Sequence, residues 1–190
     1  MIFVTVGHQM PFDRLVKVVD EWAAERGRLD VFAQIGDTDL TPRHIQFASR
    51  IAPSEFSRRV EQCRCIVGHA GMGTILTGLR HEKPVLVMPR RATLRETRNE
   101  HQLATARHLA GRQGIQVALD ETALRKALDG VDELGAGRGI SRHASAELLS
   151  AVQSFVEGAS IPSSGCATSS SQASVGRRAS KSPPAVSSAE

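Results

Sequence analysis

A change of hydrophobic period, repeated along the first 157 residues, limits what this chain can fold into more than any other feature. Short apolar runs rich in β-branched residues fall at 2–6, 31–35, 64–68, 84–88 and 115–119. Segments of helical period separate most of them. Phe12 to Arg26 puts Leu15, Val19 and Trp22 on one face at i, i+4, i+7 spacing. Thr74 to Arg80, Asn99 to Ala110 and Glu121 to Leu128 read as further helices, and Gly111 and Gly114 suit a helix end and the turn into the next strand. Ser141 to Val156 reads as a closing helix with Leu148, Leu149, Val152 and Val156 packing inward. The segment 37–53 is less regular, with Ile45-Gln46-Phe47-Ala48 compatible with a short strand. Strand and helix in alternation imply an α/β domain, a mostly parallel sheet with helices on both faces. One Rossmann-like lobe is therefore expected over residues 1–157.

Composition bounds the function. The 190 residues carry a formal charge of +4, of which the tail 159–190 supplies +2 through Arg177, Arg178 and Lys181 against Glu190. The rest is close to balanced, which gives no electrostatic case for nucleic-acid binding. No stretch approaches the roughly 18 apolar residues of a membrane span. The chain opens directly on Ile2-Phe3-Val4-Thr5-Val6, without a basic leader or cleavage site, so a cytoplasmic location is expected. Cys63, Cys65 and Cys166 are an odd set without zinc-site spacing, and reduced thiols are expected, the first two entering a buried strand. From residue 158 the chain is Ser- and Pro-rich and too poor in large apolar residues to offset its ordering entropy, so a disordered tail is expected. Gly176-Arg177-Arg178-Ala179-Ser180 within it has the letters of a basophilic kinase site, a match common by chance in such tails.

In open parallel sheets ligands bind beyond the carboxyl ends of the strands, where strand order reverses. Three turns follow strands here. The first, Gly7-His8-Gln9-Met10-Pro11-Phe12-Asp13, opens a helix whose first N–H groups and dipole favour a phosphate, although an ordinary strand-to-helix turn has the same letters. The second, Gly68-His69-Ala70-Gly71-Met72-Gly73-Thr74, can form an anion-binding concavity of successive N–H groups, with the Thr74 hydroxyl as a further donor or a local cap. It is neither a Walker loop nor G-x-G-x-x-G, and tight strand–helix packing would also explain its glycines. The third runs from Pro89 and Arg90 through a polar loop bearing Arg91, Arg95 and Arg98 to Asn99-Glu100-His101-Gln102. Those arginines are expected to be mostly solvated, with Arg90 or Arg91 able to meet a sugar carboxylate. His8, His69 and His101 each fall on one of the three turns, with no clustering that demands a metal and no nucleophile elbow.

Together these turns resemble the C-terminal, donor-binding half of family 28 glycosyltransferases. The resemblance rests on Phe3-Val4-Thr5-Val6-Gly7, Pro11-Phe12-Asp13-Arg14-Leu15, Gln34-Ile35-Gly36, Gly68 to Thr74, Lys83-Pro84 with Pro89-Arg90, and Asn99-x-His101-Gln102, spanning roughly residues 2–110 in order. It is nearest to short stand-alone donor subunits, those of bacterial exopolysaccharide transferases and of the two-part eukaryotic dolichol-linked UDP-GlcNAc enzyme. The resemblance implies a single lobe of the GT-B type that binds a UDP-sugar without a cofactor. It also implies a separate, membrane-anchored partner that handles a polyprenyl-diphosphate-linked acceptor and recruits this chain to the membrane.

By position, Gly7, His8 and Gln9 would lie near the diphosphate. Gly71, Gly73 and Thr74 would form its second wall, with His69 and Met72 also among the UDP-sugar-binding residues, and Asn99, His101 and Gln102 would meet the sugar. The uracil would lie near Ile51 to Phe56. His8 is the local candidate for the base. Relatives often hold the ribose with a Glu where this chain has Thr77, and many have Thr where it has His8. No metal is expected, since Asp37-Thr38-Asp39 falls in the uncertain loop. Two rivals stay open: a non-catalytic nucleotide-sugar-binding or scaffold subunit, and an epimerase of related fold, which would need a second lobe and catalytic carboxylates.

Overall fold

Every residue of the first strand, β1 (Ile2–Thr5), is buried. A strand without a solvent face belongs at the centre of a sheet covered on both sides. In the computed structural model β1 pairs in parallel with β2 (Val31–Gln34) on one edge and β4 (Cys65–His69) on the other, Ile2 lying opposite Val31 and Cys65. The sheet is completed by β3 (Gln46–Ala48), β5 (Val85–Met88) and β6 (Ile115–Val117), in the order β3-β2-β1-β4-β5-β6, with every pairing parallel. Strand order reverses between β1 and β4, so a crevice opens beyond their carboxyl ends.

The structure describes residues 1–137, 139–140 and 143–157. They fall into two compact units, 1–143 and 144 onward. In the first unit alternate strand residues feed two cores. Val4, Val67 and Leu86 pack with Leu15, Val19 and Trp22 of α1 (Asp13–Glu25) and with Leu124 and Leu128 of α5 (Glu121–Asp129). Phe3, Ile66 and Val87 face the other way, onto Val60 of α2 (Pro53–Gln62), Ile75 of α3 (Met72–Arg80) and Ala106 and Leu109 of α4 (His101–Leu109). Gly78 sets the distance between α3 and β5, because a Cβ there would stand 2.1 Å from a Val85 methyl carbon.

The expected α/β architecture with helices on both faces is the observed one, and three local readings change. Helix α2 was not legible as a helix: Val60 is its one buried residue, so its apolar stripe is faint and only Pro53 in its first turn marks it. The Ile45–Ala48 segment does contribute a strand, the exposed edge strand β3. Helix α4 begins at His101 rather than Asn99, whose side chain serves the turn before it. The closing helix α6 (Ala146–Val156) starts at Ser145, whose hydroxyl accepts the Leu148 N–H. Its Leu148, Leu149, Val152 and Val156 are each more than half exposed, not packed inward. Among the described residues of the first unit, Leu134 is the last that packs against either core. Among the described residues no helix is long and apolar enough to cross a membrane. Cys63 and Cys65 are buried free thiols. Cys166 and the remaining tail, 158–190, lie outside the described residues.

Candidate functional site

The first turn leaves β1 through Gly7, whose φ of +79° is a conformation that side-chain-bearing residues rarely adopt. Its fixings come from beneath. The Thr5 hydroxyl accepts the Gly7 N–H (3.3 Å) and donates to Gln34 Oε1 (2.8 Å), while Gln34 Nε2 donates to the carbonyls of Gly7 (3.3 Å) and Ser49 (3.1 Å). His8 and Gln9 are exposed. The N–H groups of His8, Gln9 and Met10 find no acceptor among the described residues.

The second turn leaves β4 through His69, and Gly71 N–H donates back to the His69 carbonyl (2.8 Å). The next three N–H groups, of Met72, Gly73 and Thr74, start α3 with no side-chain cap and no other acceptor. The glycines divide by purpose. A Cβ at Gly7 would stand 2.8 Å from His69 Cε1, and one at Gly71 would stand 2.2 Å from His69 Nε2. Those two residues must be small because the imidazole lies between them. Gly73 differs, since nothing lies within 4 Å of a Cβ added there. Burial, reinforced by the Arg90 charge, pushes the His69 pKa down from 6.5 to about 4, so the ring is neutral at pH 7. Its Nδ1 is buried without a partner.

The third turn corrects the solvated reading for Arg90 and Arg91, while Arg95 and Arg98 are exposed as expected. Arg90 is 4 % exposed. Its Nη1 donates to the carbonyls of Pro11 and Glu96 (both 3.1 Å), and its Nη2 to those of Val6 (2.6 Å) and Met10. The guanidinium thus closes the first turn from inside and cannot meet a sugar carboxylate. Arg91 is tied to the Leu119 carbonyl (2.8 Å). Arg14 makes a two-pronged pair with Glu96, at 2.7 Å on each side, and also donates to the Pro89 carbonyl (3.2 Å). These bonds lash the 89–98 loop to the first turn. The residues read as sugar contacts are partly occupied: Gln102 is 6 % exposed and its Oε1 accepts the Arg90 N–H (3.2 Å), while Asn99 Oδ1 accepts the His101 N–H (3.3 Å) and abuts its ring Nδ1. Sequence reasoning missed Arg90, Arg14 and Glu96 as site-building residues. The available signal was Arg90 itself, directly after the proline that ends a buried strand.

Of the cavities that border these turns, three are linked by shared lining residues. A small one of about 90 Å³ is shared by His8, Gln9, His69, Arg90, His101 and Gln102. A wider one of about 410 Å³ adjoins it, lined by Gln9, Met10, Thr97, Arg98, Asn99 and His101. A third, of about 290 Å³, has apolar walls from Ile51, Pro53 and Phe56 and again includes His8. His8 therefore lines both the first and the third. Gly71 to Thr74 line none of the three and adjoin them through His69. The Thr77 hydroxyl donates to the Gly73 carbonyl (2.7 Å). Asp37 pairs with Arg50, and the Asp37-Thr38-Asp39 stretch lies beside the first turn: Thr38 Oγ1 donates to Asp13 Oδ1 (2.8 Å), and a cavity of about 640 Å³ is lined by Pro11, Asp13, Asp37, Thr38, Asp39 and Ser49. Among the described residues no group of three or more His, Cys, Asp or Glu is placed to hold a metal ion.

A parallel sheet of this strand order, with N–H groups lacking acceptors among the described residues gathered at its switch point, defines a Rossmann-like lobe. Residues 1–142 match the glycosyltransferase family 28 C-terminal domain, and the chain belongs to that family. No curated protein matches it in sequence. Among solved structures it is similar to the glycotransferase of kitacinnamycin (21 % identity, TM-score 0.52), covering 69 % of this chain and 34 % of that one. It is also similar to a putative UDP-N-acetylglucosamine 2-epimerase from Listeria monocytogenes (14 %, 0.51), covering 85 % and 46 %. The solution structure of ALG13 (18 %, 0.52) is matched over 75 % of this chain and 90 % of its own. At these identities the likeness is one of fold. The chain spans about a third to a half of the length of the first two.

Proposed function

We propose that the chain is the donor-binding subunit of a two-part inverting glycosyltransferase. It would move a hexose or uronic acid from a UDP-sugar to a polyprenyl-diphosphate-linked acceptor in exopolysaccharide assembly. The observation that carries this reading is the pair of facing turns at the β1/β4 switch point, whose six N–H groups, of His8, Gln9, Met10, Met72, Gly73 and Thr74, lack acceptors among the described residues. Preorganised donors of this kind stabilise the charge that grows on a departing diphosphate. The apolar cavity beside Ile51 and Phe56 suits the uracil, and the cavity beside Asn99 and His101 suits the sugar.

His8 is kept as the local base candidate because its exposed imidazole lines the small cavity that adjoins the sugar-side one. The acceptor would come from a membrane-anchored partner subunit. Purified chain should bind UDP, and should transfer sugar from UDP-sugar to a lipid-linked acceptor only when that partner is added. UDP binding without transfer under any pairing would favour the scaffold reading. That reading has one observation on its side: the Thr77 hydroxyl, at the position where relatives often hold the ribose, is spent as a donor to Gly73.

A further inference from the structure

The guanidinium that closes the first turn has an unusual electrostatic setting. Arg90 is 4 % exposed, and the four groups it donates to are all neutral carbonyls. Glu96, whose charge acts on Arg90 and partly offsets its burial, is spent on the two-pronged pair with Arg14, and the Phe12 ring lies 5.1 Å from the Arg90 Cζ, so among the described residues Arg90 has no direct ion-pair partner of its own. Its Nε is buried with no partner at all. Burial pushes its pKa below the usual value, but an arginine keeps its proton at any pH near neutral. A buried cation without a direct carboxylate contact is costly to keep in a fold. It lines the same small cavity as His8, Gln9, His69 and His101. Its charge already reaches His69, whose protonation it opposes.

We propose that Arg90 is the buried counter-charge of the donor's diphosphate, a positioning residue that fixes the first turn through its carbonyls and stabilises the leaving group without touching it. This rests on the nucleotide-sugar reading above. In the transfer, the acceptor hydroxyl oxygen bonds to the anomeric carbon and gives up its proton to a base. The bond from that carbon to the diphosphate oxygen breaks, with both electrons passing to the diphosphate. Negative charge therefore grows next to the first turn, and a cation in a low-dielectric setting acts on it over a longer range than one in water. The four carbonyl bonds hold the guanidinium in place, so no reorganisation accompanies the charge development.

The test uses the full chain with two probes, UDP and uridine, which differ by the diphosphate. In the wild type, the Arg90 Nε–H resonance should shift on saturation with UDP and stay unmoved with uridine. Calorimetry should show Arg90→Met losing UDP affinity by about tenfold or more, the size of one partly screened unit charge, while uridine affinity changes less than about threefold. Arg90→Lys, which keeps the charge, should restore most of the UDP preference. An unmoved resonance at saturating UDP, or an equal loss of UDP and uridine in Arg90→Met, overturns the proposal. The resonance measurement decides it even where Arg90→Met does not fold. A wild type that binds neither probe overturns the nucleotide-sugar reading itself, whereas UDP binding with Arg90 unaffected overturns this inference alone.

Discussion

Gly71 and Gly73 sit two residues apart in one turn, yet an added methyl group meets opposite surroundings at each. At Gly71 the new carbon would lie 2.2, 2.7 and 3.0 Å from three atoms of the His69 ring. The ring would have to move by more than 1 Å to restore contact distances of roughly 3.5 Å or more. It has no room to do so on the other side, where Gly7 already approaches it so closely that a Cβ there would stand at 2.8 Å. The backbone at Gly71 (φ −93°, ψ 137°) would itself accept an alanine, so the whole penalty is steric. Overpacking of this kind costs about 1–3 kcal/mol. At Gly73 the methyl meets nothing within 4 Å, and Gly73 lies inside α3, where alanine is favoured over glycine by up to about 1 kcal/mol.

Gly73→Ala should therefore leave the urea midpoint unchanged or slightly raised, and Gly71→Ala should lower it clearly. Ligand binding should run the other way for Gly73, because its methyl, and more so the branched side chain of Gly73→Val, would stand where the phosphate must come. Losing one charge-assisted hydrogen bond costs about 1.5–3 kcal/mol, or roughly 10–100-fold in UDP affinity. Urea titrations and UDP calorimetry on the two variants separate the effects. A Gly73→Ala protein as unstable as Gly71→Ala, or one that binds UDP like the wild type, would refute the division of the glycines argued here.

Three further outcomes follow from the same geometry. His69 has its pKa held at about 4 in the folded chain against 6.5 unfolded, so the unfolded state binds more protons between those values and stability must fall as pH drops through that window, by up to about 3 kcal/mol. Urea midpoints at pH 7 and pH 5 should show the fall in the wild type, with a smaller one in His69→Asn. Glu96→Gln removes one partner from the Arg14 pair, whose two side chains are each 12 % exposed, and because Arg14 keeps Glu121 at 3.2 Å it should cost roughly 1–2 kcal/mol. Thermal melts check it, and a change within experimental error would mean that the pair does not hold the 89–98 loop. His101 lines both the small and the wide cavity, so His101→Ala should reduce transfer more than UDP binding; equal losses would remove it from the sugar side.

Much of the fold was legible because its strands are short, β-branched and buried, and because Leu15, Val19 and Trp22 repeat with the helical period. Helix α2 was hidden because it buries one residue, Val60, and exposes most of the others. The three turns could be placed from the sequence because they follow strands. What could not be read was how they interlock. The letters of Gly7 and Gly71 suggest room for a ligand, whereas the room is first needed for the His69 ring, a contact between residues far apart in the chain. Arg90 and Arg91 looked like part of a solvated run, since the one local cue, the place of Arg90 directly after the proline that ends a buried strand, does not say what would hold it. The carbonyls that hold Arg90 come from Val6, Met10 and Pro11, some 80 positions earlier. Pairings of that kind depend on the register of β1, β4 and β5, which no single stretch of sequence carries.

The central claim is that two facing turns bind the diphosphate of a nucleotide-sugar. Amide resonances followed during titration with UDP test it most directly. The account predicts the largest shifts at His8, Gln9, Met10, Met72, Gly73 and Thr74, with smaller ones at Ile51 and Phe56 and none on the outer face of α5. Saturable binding with those six amides unmoved, or no binding of UDP at all, would contradict it.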